Sequence, residues 1–483
     1  MQERGRDPVA VSLRRGYSFV DVTRGAGLSD ATRTWGSTWN DYNEDGRPDL
    51  WIGRHWRQPR LYSNVRNVGF QENASEDFRM EEIDRHACVW GEANGDGRAD
   101  LYCVRGADKG IGSGANQLFL QSPAGSFTNR AEGRGVSNPN GRGRTANWLD
   151  YDSDGDLDIF VGNLTRPGFP NAMFRNDGDV FTQVEVGLSH ELSTVSSSWA
   201  DWDVDGDPDL LVLQHSGLPA VTYENVEGRF ESVRLHQVSG EHWSSGAWDD
   251  FDGDGRPDLH LVSPTRSRIV RNSPSGFSIV DEMGLDQGRM STWLDVDNDS
   301  DLDSFIVQGS AGRHPEPGAS NKPDFLLVNT RGGFRKLMTG SSRGPRDGNG
   351  DAVSASDYDR DGRVDLFITN GLFYWTGPNL LLQNRSKVGN WVGVDLDGSA
   401  KNPMAFGATV TARIGDGKIQ RQITDNANYR SQNEAGYLHL GLDDATLVQL
   451  YVRWPDGGSD CITAAAGLIV EIVKGSSPCS LLH

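Results

Sequence analysis

One nine-residue acidic pattern occurs seven times along the chain, and this repetition limits its possible folds more than any other feature. The copies read DYNEDGRPD from Asp41, EANGDGRAD from Glu92, DYDSDGDLD from Asp150, DWDVDGDPD from Asp201, DFDGDGRPD from Asp250, DVDNDSDLD from Asp295 and DYDRDGRVD from Asp357. In the third copy five aspartates fall within nine residues, a density of like charge that repels itself unless a cation is present. Acidic or amide side chains at the first, third, fifth and ninth positions supply the oxygen ligands that Ca²⁺ takes, and a glycine at the sixth permits the sharp turn. The first half of an EF-hand loop has this form, but no glutamate stands at the twelfth position, so flanking helices are not expected.

First ligands follow one another at 51, 58, 51, 49, 45 and 62 residues, room for one small sheet per copy rather than a solenoid coil. Two residues before the first ligand stands Trp39, Trp90, Trp148, Trp199, Trp248 or Trp293, with Ala355 in the seventh copy. Such regular placement reads as packing between neighbouring units. After each loop come an apolar run such as LWIG or LLVL, a Gly/Pro-rich stretch, a run such as LYSN or LLVN, and a fourth segment such as RFESV. These are strand signatures, and helical periodicity is nearly absent. The expected fold class is all-β: a seven-bladed β-propeller with a calcium loop in each blade, plus a small C-terminal β-sandwich. The seventh unit lacks a fourth strand after LLLQN, whereas Tyr17–Val22 supplies one with no blade before it, so that segment is expected to complete the last blade and close the ring.

The loops and their flanks resemble FG-GAP/VCBS repeats, the calcium-bearing blades also found in integrin α-chain propellers. From Gly389 the tail resembles the ASPIC/UnbV domain, through NWVGVDLDG, KNPMAFGATVTA, NYRSQNEAGYLHLGL and VRWPDG. The chain as a whole resembles the UnbV and cartilage acidic protein family. The corresponding division is an extension over 1–16, the propeller over 17–388, an ASPIC/UnbV-like domain over 389–475 and a tail over 476–483. Up to seven Ca²⁺, mainly structural, are expected. Their ligands would be Asp41, Asn43, Asp45 and Asp49; Glu92, Asn94, Asp96 and Asp100; Asp150, Asp152, Asp154 and Asp158; Asp201, Asp203, Asp205 and Asp209; Asp250, Asp252, Asp254 and Asp258; Asp295, Asp297, Asp299 and Asp303; and Asp357, Asp359, Asp361 and Asp365. Neutral Asn43 and Asn94, the longer Glu92, and Ser300 in place of the glycine mark the first, second and sixth loops as weaker sites.

A net charge of −21 suggests an acidic partner-binding surface or a nucleic-acid mimic. Ligand positions hold 26 of the 68 acids, however, and the remaining 42 face 47 Lys and Arg, so the body outside the loops is slightly basic. No nucleic-acid partner is expected. Nor is a membrane span, since no run of about 18 apolar residues occurs. The start MQERGRDPVAVSLRRGYSF contains no apolar signal-peptide core, which leaves a secreted chain with its leader removed or a cytoplasmic chain beginning at Met1. Cys88 and Cys103 flank the second loop on strands expected to pair, and either a disulfide or two small buried apolar residues satisfies that placement. Cys461 and Cys479 could staple the tail.

If the acidic loops join the first and second strands of every blade, all seven lie on one face of the disc. The opposite loops, GRHWRQPR, NLTRPGFPN, QGSAGRHPEPGASNKPD and NGLFYWTGPN among them, gather Arg, His and aromatic residues. A ligand is therefore expected there, contacting Trp56, Arg57, Arg166, Phe169, Phe373, Tyr374 and Trp375, with His55, His86, Arg144, His215 and His242 as candidates for acid–base chemistry and His314 nearby. The bland alternative is that the aromatics pin long loops while the charges are solvated. There is no HExxH or P-loop, and GSSRG at Gly340 has no helix after it to make a nucleophile elbow. Two functions stay open. One is a calcium-stabilised module binding a small molecule, glycan or protein; the other is a calcium-dependent natural-product biosynthetic enzyme using the His, Arg and aromatic residues of that face for acid–base or cyclisation chemistry.

Overall fold

The computed structural model describes residues 10–12, 16–28, 31–73, 83–107, 113–164, 170–178, 180–188, 192–215, 218–309, 323–338, 350–371, 377–415 and 417–479. Among these the only helical element is the 3-10 turn His236–Val238, and no helix is long and apolar enough to cross a membrane. The chain is all-β, as its strand signatures led us to expect.

Among the described residues seven sheets form the larger part. Each opens with an inner strand directly before an acidic loop: Thr34–Asn40, Arg85–Gly91, Gly143–Leu149, Thr194–Ala200, Ser245–Asp249, Gly288–Leu294 and Gly350–Ser356. The inner strand pairs antiparallel with the strand after the loop, and two more antiparallel strands complete each blade. Successive inner strands lie side by side, and Gly350–Ser356 returns to touch Thr34–Asn40, which closes a propeller ring. Burial explains the sequence pattern. Arg85–Gly91 is buried at every position, so it shows no apolar alternation, whereas the outer strand Phe127–Asn129 buries only Phe127.

The tryptophan series ties neighbouring blades. Trp39 Nε1 donates to Ser354 Oγ at 2.9 Å, Trp148 Nε1 to the Val89 carbonyl at 3.2 Å and Trp293 Nε1 to the Ala247 carbonyl at 3.0 Å, each time on the preceding blade. A second series was not apparent in the sequence. The amide at the end of each third strand donates to the carbonyl of the second residue in the preceding blade's acidic loop: Asn64 to Tyr358, Gln121 to Tyr42, Asn176 to Ala93, Asn225 to Tyr151, Asn272 to Trp202, Asn329 to Phe251 and Asn384 to Val296. All seven junctions are clipped in this way, including the one that closes the ring. Asn225→Ala should strand the Tyr151 carbonyl and lower stability by about 1–3 kcal/mol, read by chemical denaturation.

Ring closure uses both ends of the propeller. Ser18–Asp21 pairs antiparallel with Leu380–Asn384, placing Phe19 opposite Asn384, and Ala10–Ser12 adds a fifth strand outside it. Phe19 is fully buried, 6.3 Å from the Phe305 ring. In the second blade the register sets Cys88 directly opposite Cys103, with Cα atoms 4.1 Å apart, and a disulfide joins them; another joins Cys461 to Cys479.

Two smaller sheets follow. Tyr437–Asp443, Asn390–Asp397 and Leu468–Val473 form one, and Gly417–Gln422, Thr409–Ile414, Leu447–Arg453 and Ser459–Ala465 the other. Val392, Phe406, Val410, Leu440, Leu450 and Trp454 belong to their common core. These sheets rest on the acidic-loop face, not over the opposite mouth. Gln422 exchanges hydrogen bonds with the backbone of Asp201, Arg421 donates to the Asp250 carbonyl at 2.7 Å, and Lys401 Nζ lies 2.9 Å from Asp156.

From that position residues 425–434, DNANYRSQNE, enter the ring as a hairpin and bond to all seven inner strands. Ser37 N–H donates to Ser431, Trp90 N–H to Gln432 and Trp148 N–H to Asp425. Tyr429 N–H donates to Ser196, Gly246 N–H to Asn428, the Asn433 amide to Thr292, and Ala355 N–H to Asn433. Gly36, at φ +77°, permits the close approach, since a Cβ there would overlap the Arg430 carbonyl. The central channel is thus filled by a polar peptide.

Candidate functional site

Two places concentrate chemistry, one at each end of the channel. At the first, the acidic loops share one geometry. Asp150 accepts the N–H groups of Asp154 and Gly155 at 3.1 and 2.9 Å, and Asp158 accepts those of Tyr151 and Asn176 at 3.1 and 2.7 Å. Glu92 does the same work as an aspartate, accepting from Asn94, Gly95 and Asp96. Two residues per loop are left-handed. The sixth was expected, and the fourth was not: Glu44, Gly95, Ser153, Val204, Gly253, Asn298 and Arg360 all have positive φ.

The donor set suits a hard divalent cation. Carboxylate oxygens of Asp150, Asp152 and Asp158 lie within 4.8 Å of one another, as do those of Asp201, Asp203 and Asp209, and of Asp295, Asp297 and Asp299. Among the described residues, Asp49, Asp152, Asp359, Asp361 and Asp365 each keep a buried oxygen without a hydrogen-bond partner. Burial, reinforced by neighbouring acids, pushes Asp209 and Asp258 up to about 9. A bound cation would relieve this strain. In the sixth loop Ser300 adopts φ 76° and its hydroxyl donates to the Gly441 carbonyl at 2.9 Å, while Asn298 is fully buried and lies 2.8 Å from His439 Nε2. The serine is thus a contact to the C-terminal sheets, which cap this loop.

At the other end the inner strands begin and the hairpin turns. His55, just past the second strand of blade 1, lies 2.6 Å through Nε2 from Asp84 Oδ1, and His86 Nε2 lies 3.1 Å from the same oxygen. Asp84 Oδ2 accepts the Ala107 N–H at 3.0 Å. Trp35 stacks on His55 with ring centres 3.7 Å apart. Over Trp35 lies the Arg430 guanidinium at 4.2 Å, delivered by the hairpin and paired with Asp351 at 2.7 Å. Burial lowers both imidazoles, His86 to about 3, so they are neutral at pH 7. Burial opposes ionisation of Asp84, but His86 and His55 outweigh it and hold its carboxyl far below the usual range. Burial also brings Arg144 down to about 9, with Arg142 and Arg430 adding to the effect against the pull of Asp84.

Of the residues singled out from the sequence, His55, His86 and Arg144 meet here. Trp56 adjoins them, its ring 5.7 Å from His55, and Arg57 is exposed. His215 and His242 are exposed on the fourth and fifth blades and are not part of this cluster. Arg166, Phe169, His314, Phe373, Tyr374, Trp375 and the GSSRG stretch lie outside the described residues. Sequence reading missed Trp35, Asp84, Tyr429 and Arg430. One signal pointed to the last two: the inner strands read GSTWN, SSSWA and MSTWL, a hydroxyl-rich channel that requires a polar partner such as NYRSQN.

Residues 93–161 and 250–306 match the FG-GAP-like repeat, and residues 398–470 match the ASPIC and UnbV domain. Over 166 residues the chain is 26% identical to Cartilage acidic protein 1 of Xenopus tropicalis, a stretch covering 33% of this chain and 25% of that protein. The chain therefore spans about a quarter of the length of that relative. Among solved structures, a chain from the crystal structure of BBS1N in complex with ARL6DN aligns at TM-score 0.46 with 10% identity, covering 73% of this chain and 92% of that one. A triple arginine-to-alanine mutant of AofleA from Arthrobotrys oligospora aligns at TM-score 0.41 with 10% identity, covering 65% and 88%.

Proposed function

For a chain that carries FG-GAP-like repeats and an ASPIC and UnbV domain, we propose a calcium-stabilised β-propeller that binds a small molecule at the channel end away from its acidic loops. One observation carries the reading. Blades 1, 2 and 3 and the hairpin bring His55, Asp84, His86, Arg144 and Arg430 together at a buried spot, and both imidazole Nδ1 atoms there lack a partner among the described residues. A packing role would leave such polar groups satisfied or replace them with apolar ones. The acidic loops would hold Ca²⁺ through the side chains at their first, third, fifth and ninth positions, and the ion would supply charge balance and rigidity. The chain's own part is to close the ring, fill the channel and fix the far end through Arg430 and Trp35.

A thermal-shift panel of small carboxylates, phosphates and sugars, run on the calcium-loaded chain, tests this. At least one class should raise Tm by about 2 °C or more, and Trp35→Ala or His86→Ala should abolish the rise without changing calcium content. A panel without hits, or hits indifferent to both substitutions, would refute it.

A further inference from the structure

We infer that the His55, Asp84 and His86 cluster is a base-ready site for a small oxyanion carrying an acidic hydrogen, with Arg144 holding the anion and the His55 Nδ1 taking the proton. The inference rests on the ligand-binding reading above and specifies its ligand class and chemistry.

The tautomer of His55 follows from Asp84. A carboxylate oxygen only accepts, and Oδ1 lies 2.6 Å from His55 Nε2 and 3.1 Å from His86 Nε2. His55, hydrogen-bonded to that oxygen, therefore carries its hydrogen on Nε2 and leaves a lone pair on Nδ1, whereas neither ring nitrogen of His86 makes a hydrogen bond among the described residues. Both Nδ1 atoms are buried without a partner among the described residues, and His86 is only 4% exposed. An acceptor buried in this way costs free energy until a donor arrives. Arg144 is the complementary case. Its guanidinium donates to the Gly143 carbonyl at 3.0 Å, and no carboxylate pairs with it among the described residues. An anion would supply the missing charge, and its hydrogen the missing donor. Arg430, already paired with Asp351, acts through Trp35 to fix the His55 ring and is a positioning residue.

Two histidines and a carboxylate within 4.8 Å also suit a divalent metal. Two nearby guanidinium groups oppose that, and a ring bound through Nε2 would carry its hydrogen on Nδ1, where neither histidine has the acceptor that metal-bound imidazoles use. In the proposed step a C–H, N–H or O–H bond of the ligand breaks and an Nδ1–H bond forms. The electron pair stays on the ligand beside Arg144, Asp84 stabilises the imidazolium, and the proton returns to product or water.

The test uses the full calcium-loaded chain labelled with ¹⁵N-histidine, with His55→Asn and His86→Asn samples for assignment and sodium malonate as the probe. At pH 7 both rings should be neutral and His55 should report the Nε2–H tautomer. Malonate should shift both saturably, and Arg144→Gln should weaken it by roughly ten-fold or more. Arg144→Lys should recover part of that affinity, which a purely structural guanidinium would not. An Nδ1–H tautomer at His55, a metal-bound or already charged ring, or malonate binding indifferent to Arg144 would overturn the inference. If the panel yields ligands but malonate leaves both rings unmoved, this inference fails alone; an empty panel removes the broader reading as well.

Discussion

Stripping divalent cations at neutral pH should unfold the ring rather than soften it. A ligand at a hundred times its Kd adds about 2.7 kcal/mol to the folded state, so five occupied loops would add more than about 10 kcal/mol, comparable to the whole stability of an ordinary domain. The ion-free loops oppose folding as well. They hold buried carboxylates among like charges, and burial with neighbouring acids pushes Asp49 up to about 8. Differential scanning calorimetry with and without chelator reads the effect. A cooperative transition should return when Ca²⁺ is restored, and a chelated sample melting within about 5 °C of the loaded one would contradict the assignment of ions to these loops.

Deleting residues 1–23 should be nearly as damaging. The deletion removes Phe19 from the core, worth about 2–3 kcal/mol of burial, together with the ladder to Leu380–Asn384. It also removes Thr23 Oγ1, which accepts the Leu381 N–H at 2.8 Å. The seventh blade would then show an open edge at its outermost strand. We expect loss of the cooperative melting transition, followed by circular dichroism. An unchanged transition would mean that the ring is held without this strand.

The repeats made the blades legible because each joins a turn with fixed chemistry to apolar runs, and even the closing strand Tyr17–Val22 could be read from a surplus at one end and a deficit at the other. The amide clips stayed hidden because one asparagine after a strand looks like any turn residue; their meaning lies in partners such as Tyr358 for Asn64, 294 residues away. Half of the far-end cluster was legible for a similar reason. His55, His86 and Arg144 stood out by residue type, whereas Asp84 was one acid among 68 and Arg430 reaches the cluster only by crossing the ring from the other domain. That the C-terminal sheets rest on the acidic-loop face stayed hidden on the same point, since nothing local in NYRSQN shows which way it threads.

The threaded hairpin also dictates an order of events as the chain leaves the ribosome. The strand that ends the ring, Ser18–Asp21, is made first and must wait for Leu380–Asn384, while the peptide that fills the channel lies at 425–434. Until those residues emerge, the hydroxyls and amides of seven inner strands face water or one another. A nascent chain stopped before residue 425 therefore keeps an unfilled polar bore, so a stop codon that spares all seven inner strands but falls short of the hairpin leaves a product for quality control rather than a shortened but working protein.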